Sequence, residues 1–449
     1  MPAGRTLYKL IIEFMNKLIA ALILFTVFVS AAYSQSVRTL TLYDAINLAK
    51  RNNSDYVIAK LDKLKADRQV SEVYSENLFP TITLSSRYAR SFRKQTINIF
   101  GQNFEIGSDN SITTTIDVSE PIPFLGTPVF NGIRIAEYYS RIQEENVKSV
   151  ENKIKTDVKK SFYNVLLLEE VIKLNQQSID NASENLRVVE ARYKAGVALE
   201  YDYIRAKVKV ETLKPQLTQS QNNLEIAKKF LKNNIGLKDG SEIDVVGELS
   251  YDSTEVWGST DELIRKISEN NVAIRQLKLS KKINEQLVDV DYANYLPKFY
   301  VFGQWQSQAN ENDDRSIGGY RFYNSIIAGI GVNWNLNLFR NSYKEDQSII
   351  EVKKSEETIV KTKELLKTQT QSVILQIEDA KNRIRSQEEI VNTAQRGYDL
   401  ALISYKSGVL NQIDVVDAEL ALSQVKLAYI QAIYDYLNAR SELEQLLEK

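Results

Sequence analysis

Apolar and polar positions alternate with a period of two in four short stretches of the chain, the spacing that sends successive side chains to opposite faces of a strand. Thr81 to Phe92 sets Ile82, Leu84, Tyr88 and Phe92 on one face and Thr81, Thr83, Ser85 and Arg87 on the other. Ser111 to Ser119 sets Ile112, Thr114, Ile116 and Val118 against Thr113, Thr115, Asp117 and Ser119. Phe299 to Gln306 and Ser325 to Leu336 form a second pair. In the latter, Ile326, Ala328, Ile330, Val332 and Trp334 oppose Gly329, Gly331, Asn333 and Asn335. Strands of this kind fit the wall of a membrane barrel, with one face to lipid and one to the lumen; they also fit a soluble sandwich.

Most of the remaining chain has a helical period. Ile133 to Lys194 contains neither proline nor glycine, and Ser342 to Ser407 contains only Gly397. At the helical rise each segment reaches roughly 90 to 100 Å, and apolar stripes on polar surfaces predict coiled-coil packing. One seam runs through Ile179, Ala182, Leu186, Val189 and Tyr193, and a constant offset carries it onto Val391, Ala394, Tyr398, Ala401 and Tyr405. The same offset carries Tyr193, Lys194, Gly196, Val197 and Asp202 onto Tyr405, Lys406, Gly408, Val409 and Asp414. A glycine just past a helix end and an aspartate soon after it predict two helical hairpin tips. Upstream, Asn53 and Leu78-Phe79-Pro80 recur as Asn270 and Tyr295-Leu296-Pro297, each proline ending a helix before a strand.

The chain is therefore expected to be an internal duplication. Residues 1–34 read as a signal peptide, 35–240 as the first repeat with its tip near 195–202, 241–259 as a linker, and 260–449 as the second repeat with its tip near 407–414. Pro215 is expected to interrupt or kink the first returning helix.

Four strands cannot close around a channel, and an open edge in hydrocarbon leaves backbone groups unpaired. If the strands lie in a membrane, other copies must complete the barrel, and three copies bring the count to about twelve strands.

Composition narrows the chemistry. The 449 residues include 57 basic and 58 acidic side chains and carry a formal net charge of -1, so no global field draws nucleic acid. Cysteine and histidine are both absent, which removes thiol nucleophiles, imidazole bases, disulfides and the usual zinc ligands. No enzyme activity, metal site or cofactor is expected. Lys17 precedes an apolar run from Leu18 to Val29, then Ala31, Ala32, Tyr33, Ser34 and Gln35, as in a secretory signal cut before Gln35. An uncleaved anchor is the other reading.

This pattern resembles the TolC-like outer-membrane efflux protein family over nearly all of the mature chain. The resemblance is carried by Leu42-Tyr43-Asp44-Ala45-Ile46, by Phe79-Pro80 and Leu296-Pro297 before strands, by Glu120-Pro121-Ile122 after one, and by the two Tyr-Lys-x-Gly-Val tips. It implies an α+β membrane protein whose long helices form a trimeric α-barrel through the periplasm, with four transmembrane strands per protomer completing a twelve-stranded β-barrel in the outer membrane. It also implies a passive exit duct for efflux or secretion, served by a periplasmic adaptor (a membrane fusion protein) and an inner-membrane transporter. The tip residues Gly196, Val197, Gly408 and Val409 match the family's adaptor contact. Asp414 and Asp417 match its aperture ring, and Asp202 matches the position that hydrogen-bonds Tyr405 to hold the aperture shut. Helix capping is the plainer role for the three aspartates, and seam packing for Tyr405. Leu410 departs from members that carry a locking arginine there. The rival from another class is a periplasmic coiled-coil adaptor or scaffold without channel activity, its four strands forming a small sandwich.

Overall fold

The computed structural model describes residues 38–123, 128–237, 242–254, 257–314 and 316–448; the expected signal peptide lies outside them. In chain order the elements are β1 (Arg38–Leu40), α1 (Leu42–Asn52), α2 (Ser54–Leu78), β2 (Thr81–Arg90), β3 (Gln95–Ile99), β4 (Gln102–Ile106), β5 (Asn110–Pro121), α3 (Val129–Lys194) and α4 (Glu200–Ile235). Then follow β6 (Ile243–Val245), α5 (Thr260–Asn270), α6 (Val272–Ala293), β7 (Lys298–Glu311), β8 (Tyr323–Asn333), α7 (Leu338–Lys406) and α8 (Gln412–Leu446). The two halves repeat the same order of a short helix, a longer helix, two main strands, a very long helix and a returning helix.

The chain divides into two compact units. Among the described residues, one unit falls within Met1–Asn53, Ile154–Thr254 and Gln376–Ser441, and the other within Ser54–Lys153, Glu255–Leu375 and Glu442–Lys449.

In the first unit the predicted seam is the core. Val189, Ala206, Tyr398, Ala401, Tyr405, Val415 and Leu422 form one buried cluster, and Ala182, Val210 and Leu213 form another against Ile179 and Leu186. Tyr193 departs from this pattern: it stays 38% exposed and stacks flat on Tyr203, whereas its repeat counterpart Tyr405 is 5% exposed. Helix α4 runs unbroken through Pro215, so the expected interruption does not occur. The segment read as a linker holds β6, which pairs in parallel with β1 and buries Leu40, Ile243 and Val245.

The repeat of Asn53 needs a correction. Asn53 caps the C-terminus of α1 and donates its amide to the Asn234 carbonyl at 2.9 Å. In the second unit it is Asn271, not Asn270, that caps α5 and donates to the Leu446 carbonyl at 3.2 Å. Asparagine adjoins asparagine in both copies, and only the helix end decides which one is the cap. Gly236, in the left-handed region at φ 73°, closes α4 so near Asn52 that a Cβ would strike that residue's carbonyl.

The second unit carries a four-stranded antiparallel sheet in the order β2-β5-β7-β8. It is a single layer, not a sandwich. Its central pair, β5 and β7, joins the two halves of the chain, and β2 and β8 are its edges. The register lines up rows of apolar side chains on one face. Ile82, Val118, Gly303 and Ala328 form one row, and Leu84, Ile116, Trp305 and Ile326 the next. Leu84 is 70% exposed, Ile326 80% and Ile330 73%, so this apolar face is left open among the described residues. The opposite face aligns Thr83, Asp117 and Gln304, with Gln304 donating to Asp117 at 2.6 Å. Glu120 is an exception, a carboxylate on the apolar side near the helical end. Beyond the sheet, β3 and β4 form a separate hairpin that the alternation did not predict. Near the helical end, Arg275 bridges Glu145 at 2.7 Å and Glu448 at 2.8 Å, tying α6, α3 and the C-terminal residues together.

Candidate functional site

Both predicted tips are tight turns built on a left-handed glycine. At the first, Gly196 has φ 74°; its N–H donates to the Tyr193 carbonyl at 2.9 Å, and the Val197 N–H donates to the Arg192 carbonyl at 2.9 Å. At the second, Gly408 has φ 84°, with matching bonds from Gly408 to Tyr405 at 3.0 Å and from Val409 to Ser404 at 2.9 Å. This pair of bonds satisfies two carbonyls that a helix end would leave without partners. Open space surrounds the position where either glycine would carry a Cβ, and Val197 and Val409 are 65% and 77% exposed. The four residues matched to the adaptor contact therefore lie on accessible surface.

The three aspartates differ. Asp414 accepts the Asn411 backbone N–H at 3.0 Å, a capping bond that reaches back over the first turn of α8. Asp417 is exposed, and its carboxylate makes no hydrogen bond among the described residues. Asp202 is half-buried in the first turn of α4, where the helix dipole favours negative charge.

Tyr405 is buried in the seam cluster. No hydrogen bond joins it to Asp202 among the described residues; that bond, implied by resemblance, is replaced by a different contact. The Arg192 guanidinium donates to the Tyr405 carbonyl at 2.8 Å and lies 4.9 Å from the centre of its ring. A charged donor on a C-terminal carbonyl and a cation over a ring reinforce each other, and both sit where the helix dipole is negative. Burial raises the Tyr405 hydroxyl above the usual tyrosine range, with the Arg192 charge opposing and the Asp202 charge adding to the shift.

Sequence reading missed Arg192. Its place in the repeat is taken by Ser404 in the other copy, so the seam comparison drew no attention to it. A basic residue in the last turn of a helix was the available signal. It puts a guanidinium at the tip of a chain whose position 410 is leucine. A second polar contact lies deeper in the same unit. Lys209 pairs with the buried Glu419 at 3.5 Å, and the Ser423 hydroxyl donates to Glu419 at 3.2 Å. Asn181, Asn185, Lys209 and Glu419 line a small cavity there, with the Asn185 side-chain oxygen unpartnered. No group of three or more acidic side chains among the described residues is placed to hold a metal ion.

The family described as outer membrane efflux protein matches residues 45–237 and 263–448. Cobalt-zinc-cadmium resistance protein CzcC of Cupriavidus metallidurans is 23% identical over 75% of this chain and 77% of its own length. Outer membrane protein TolC of Salmonella enteritidis is 20% identical over 94% of this chain and 84% of its own. The solved structure of the outer membrane protein VceC from Vibrio cholerae superposes with a TM-score of 0.73 at 14% identity, covering 91% of this chain and 96% of that one. These relatives are channel proteins and not enzymes. Two duplicated hairpins with glycine tips, a sheet with one exposed apolar face and a family match spanning both repeats lead to one conclusion: the chain belongs to the outer membrane efflux protein family, as an outer-membrane channel that extends into the periplasm.

Proposed function

We propose that three copies of this chain form a passive exit duct, the outer-membrane end of a tripartite efflux or secretion system. The observation that carries the reading is the four-stranded sheet with two unpaired edges and an uncovered apolar face. In hydrocarbon an unpaired edge costs several kcal/mol for each unsatisfied group, so β2 of one copy pairs with β8 of the next until the ring closes. The apolar rows then meet lipid and the Asp117 and Gln304 face lines a wet lumen.

At the other end of the long helices the tips form the aperture. Gly196, Val197, Gly408 and Val409 offer an open surface to a periplasmic adaptor, which couples the duct to an inner-membrane transporter that supplies the energy. Asp414 and Asp417 from each copy surround the axis and favour cations, as rings of charge do in other pores. Asp202 and Tyr405 belong to the gate, and Arg192 holds Tyr405 in the closed tip.

The test is the mass of the purified mature protein in detergent together with its single-channel conductance in planar bilayers. A trimer with discrete, cation-selective openings is expected. A folded monomer that never conducts would falsify the duct and restore the coiled-coil scaffold.

A further inference from the structure

The β3–β4 hairpin stands apart from the sheet and exposes more apolar surface than a soluble loop needs. Its register is Gln95 with Ile106, Ile97 with Phe104 and Ile99 with Gln102 on one face; Thr96 with Glu105 and Asn98 with Asn103 occupy the other. Ile97, Ile99, Phe104 and Ile106 are therefore neighbours on one side, each 40% to 49% exposed. Phe92 beside the foot and Phe100 at the turn are almost wholly exposed. On the polar side Asn98 donates to Asn103 at 2.9 Å.

The turn itself is costly. Phe100 and Gly101 have φ 53° and 81°, the two positive values of a tight two-residue hairpin turn. Glycine or asparagine suits the first of these positions, and a bulky aromatic side chain there is strained. A strained aromatic that is also fully exposed has no justification within the single chain, and strain of this kind marks a site whose purpose lies elsewhere.

The foot of the hairpin is held by a cluster of polar contacts. Lys94 pairs with Asp109 at 2.9 Å and donates to Asn312 at 2.9 Å; Arg90 pairs with Asp313 at 2.8 Å; Asn110 donates to Asp313 at 2.8 Å. These bonds fasten the hairpin to the turn between β7 and β8. They also place a belt of charge between the apolar rows of the sheet and the hairpin, which in the proposed duct sets the hairpin in water beyond the bilayer. The hairpin grows directly out of β2, an open edge strand of the sheet.

We propose that the apolar faces of the β3–β4 hairpins pack against one another between copies at the outer mouth, with Phe100 inserted into the contact. This rests on the trimeric reading above, and continuity with the open β2 edge selects a second copy of this chain as the occupant. The strain at Phe100 is then offset by burial that occurs only in the assembly.

Phe100→Asn separates the possibilities by sign, because asparagine before glycine is the better turn. The full-length protein is compared with the F100N variant for the temperature at which the trimer dissociates. A lower dissociation temperature in F100N, despite the improved turn, is the expected result, together with a covalent link between copies when F100C is mildly oxidised. The chain has no other cysteine, so any link reports this position. An F100N trimer of equal or greater heat resistance overturns the contact while leaving the trimer intact. A protein that is monomeric before any substitution removes the trimer and the contact together.

Discussion

The Arg192 guanidinium donates to the backbone carbonyl of Tyr405 at 2.8 Å and covers the same residue's ring at 4.9 Å. The contact ties the last turn of α3 to the last turn of α7, so the two hairpins of one chain are joined where each reverses direction. Neither residue's repeat counterpart makes this contact: Ser404 has no guanidinium, and Tyr193 stacks on Tyr203 instead.

Removing that contact should loosen the tip. Arg192→Met keeps much of the side-chain bulk but loses the charged hydrogen bond, a change of about 1.5 to 3 kcal/mol for bonds of this type. Faster amide exchange around 404–409 and a higher open probability in bilayers are expected, with trimer formation unchanged. Slow exchange in the variant would show that packing of the Tyr405 ring suffices.

The two aspartates proposed for the aperture should separate. Asp414→Ala removes the bond to Asn411 and should lower stability by about 0.5 to 2 kcal/mol in addition to reducing cation selectivity. Asp417→Ala should reduce selectivity while leaving the melting temperature unchanged. If Asp414→Ala alters only stability, Asp414 is a cap and not part of the ring.

Gly408→Val tests the tip without steric ambiguity, since nothing surrounds the missing Cβ. The left-handed backbone alone costs a β-branched residue about 1 to 2 kcal/mol. Export should fall sharply while trimers persist. Gly408→Asn, which tolerates that conformation, should retain most of the export.

Alkaline pH should destabilise the tip. Tyr398 is raised by burial and then by Glu419, Asp399 and Glu184; Tyr405 is raised by burial, partly opposed by Arg192. An acid whose folded pKa is raised contributes stability in full below its unfolded value of about 10, and that stability is lost as pH climbs through the folded value. Melting temperature should therefore drop above about pH 10, and Tyr405→Phe should flatten the drop.

Some of this molecule is written in short stretches of sequence. Strand faces, seam positions and glycine tips depend on neighbours a few residues away, so Ile82 and Leu84 or Gly196 and Gly408 announce their roles through period and backbone preference alone. Boundaries were legible less sharply: α3 extends back to Val129 through Gly132, because packing tolerates a glycine that propensity disfavours. The Asn270 and Asn271 ambiguity is of the same kind, since two adjacent identical residues carry no signal about which one ends the helix.

What the sequence alone determined is therefore the duplication, the elements and their two-faced character, because each follows from local periodicity repeated at a constant offset. Tertiary structure alone decided the pairing of β5 with β7 across the halves, the parallel pairing of β1 with β6, the ion-paired foot of the β3–β4 hairpin and the reach of Arg192 to Tyr405. Those contacts join residues far apart in the chain. Their energies depend on which surfaces packing brings together, and no period along a single strand or helix records that choice.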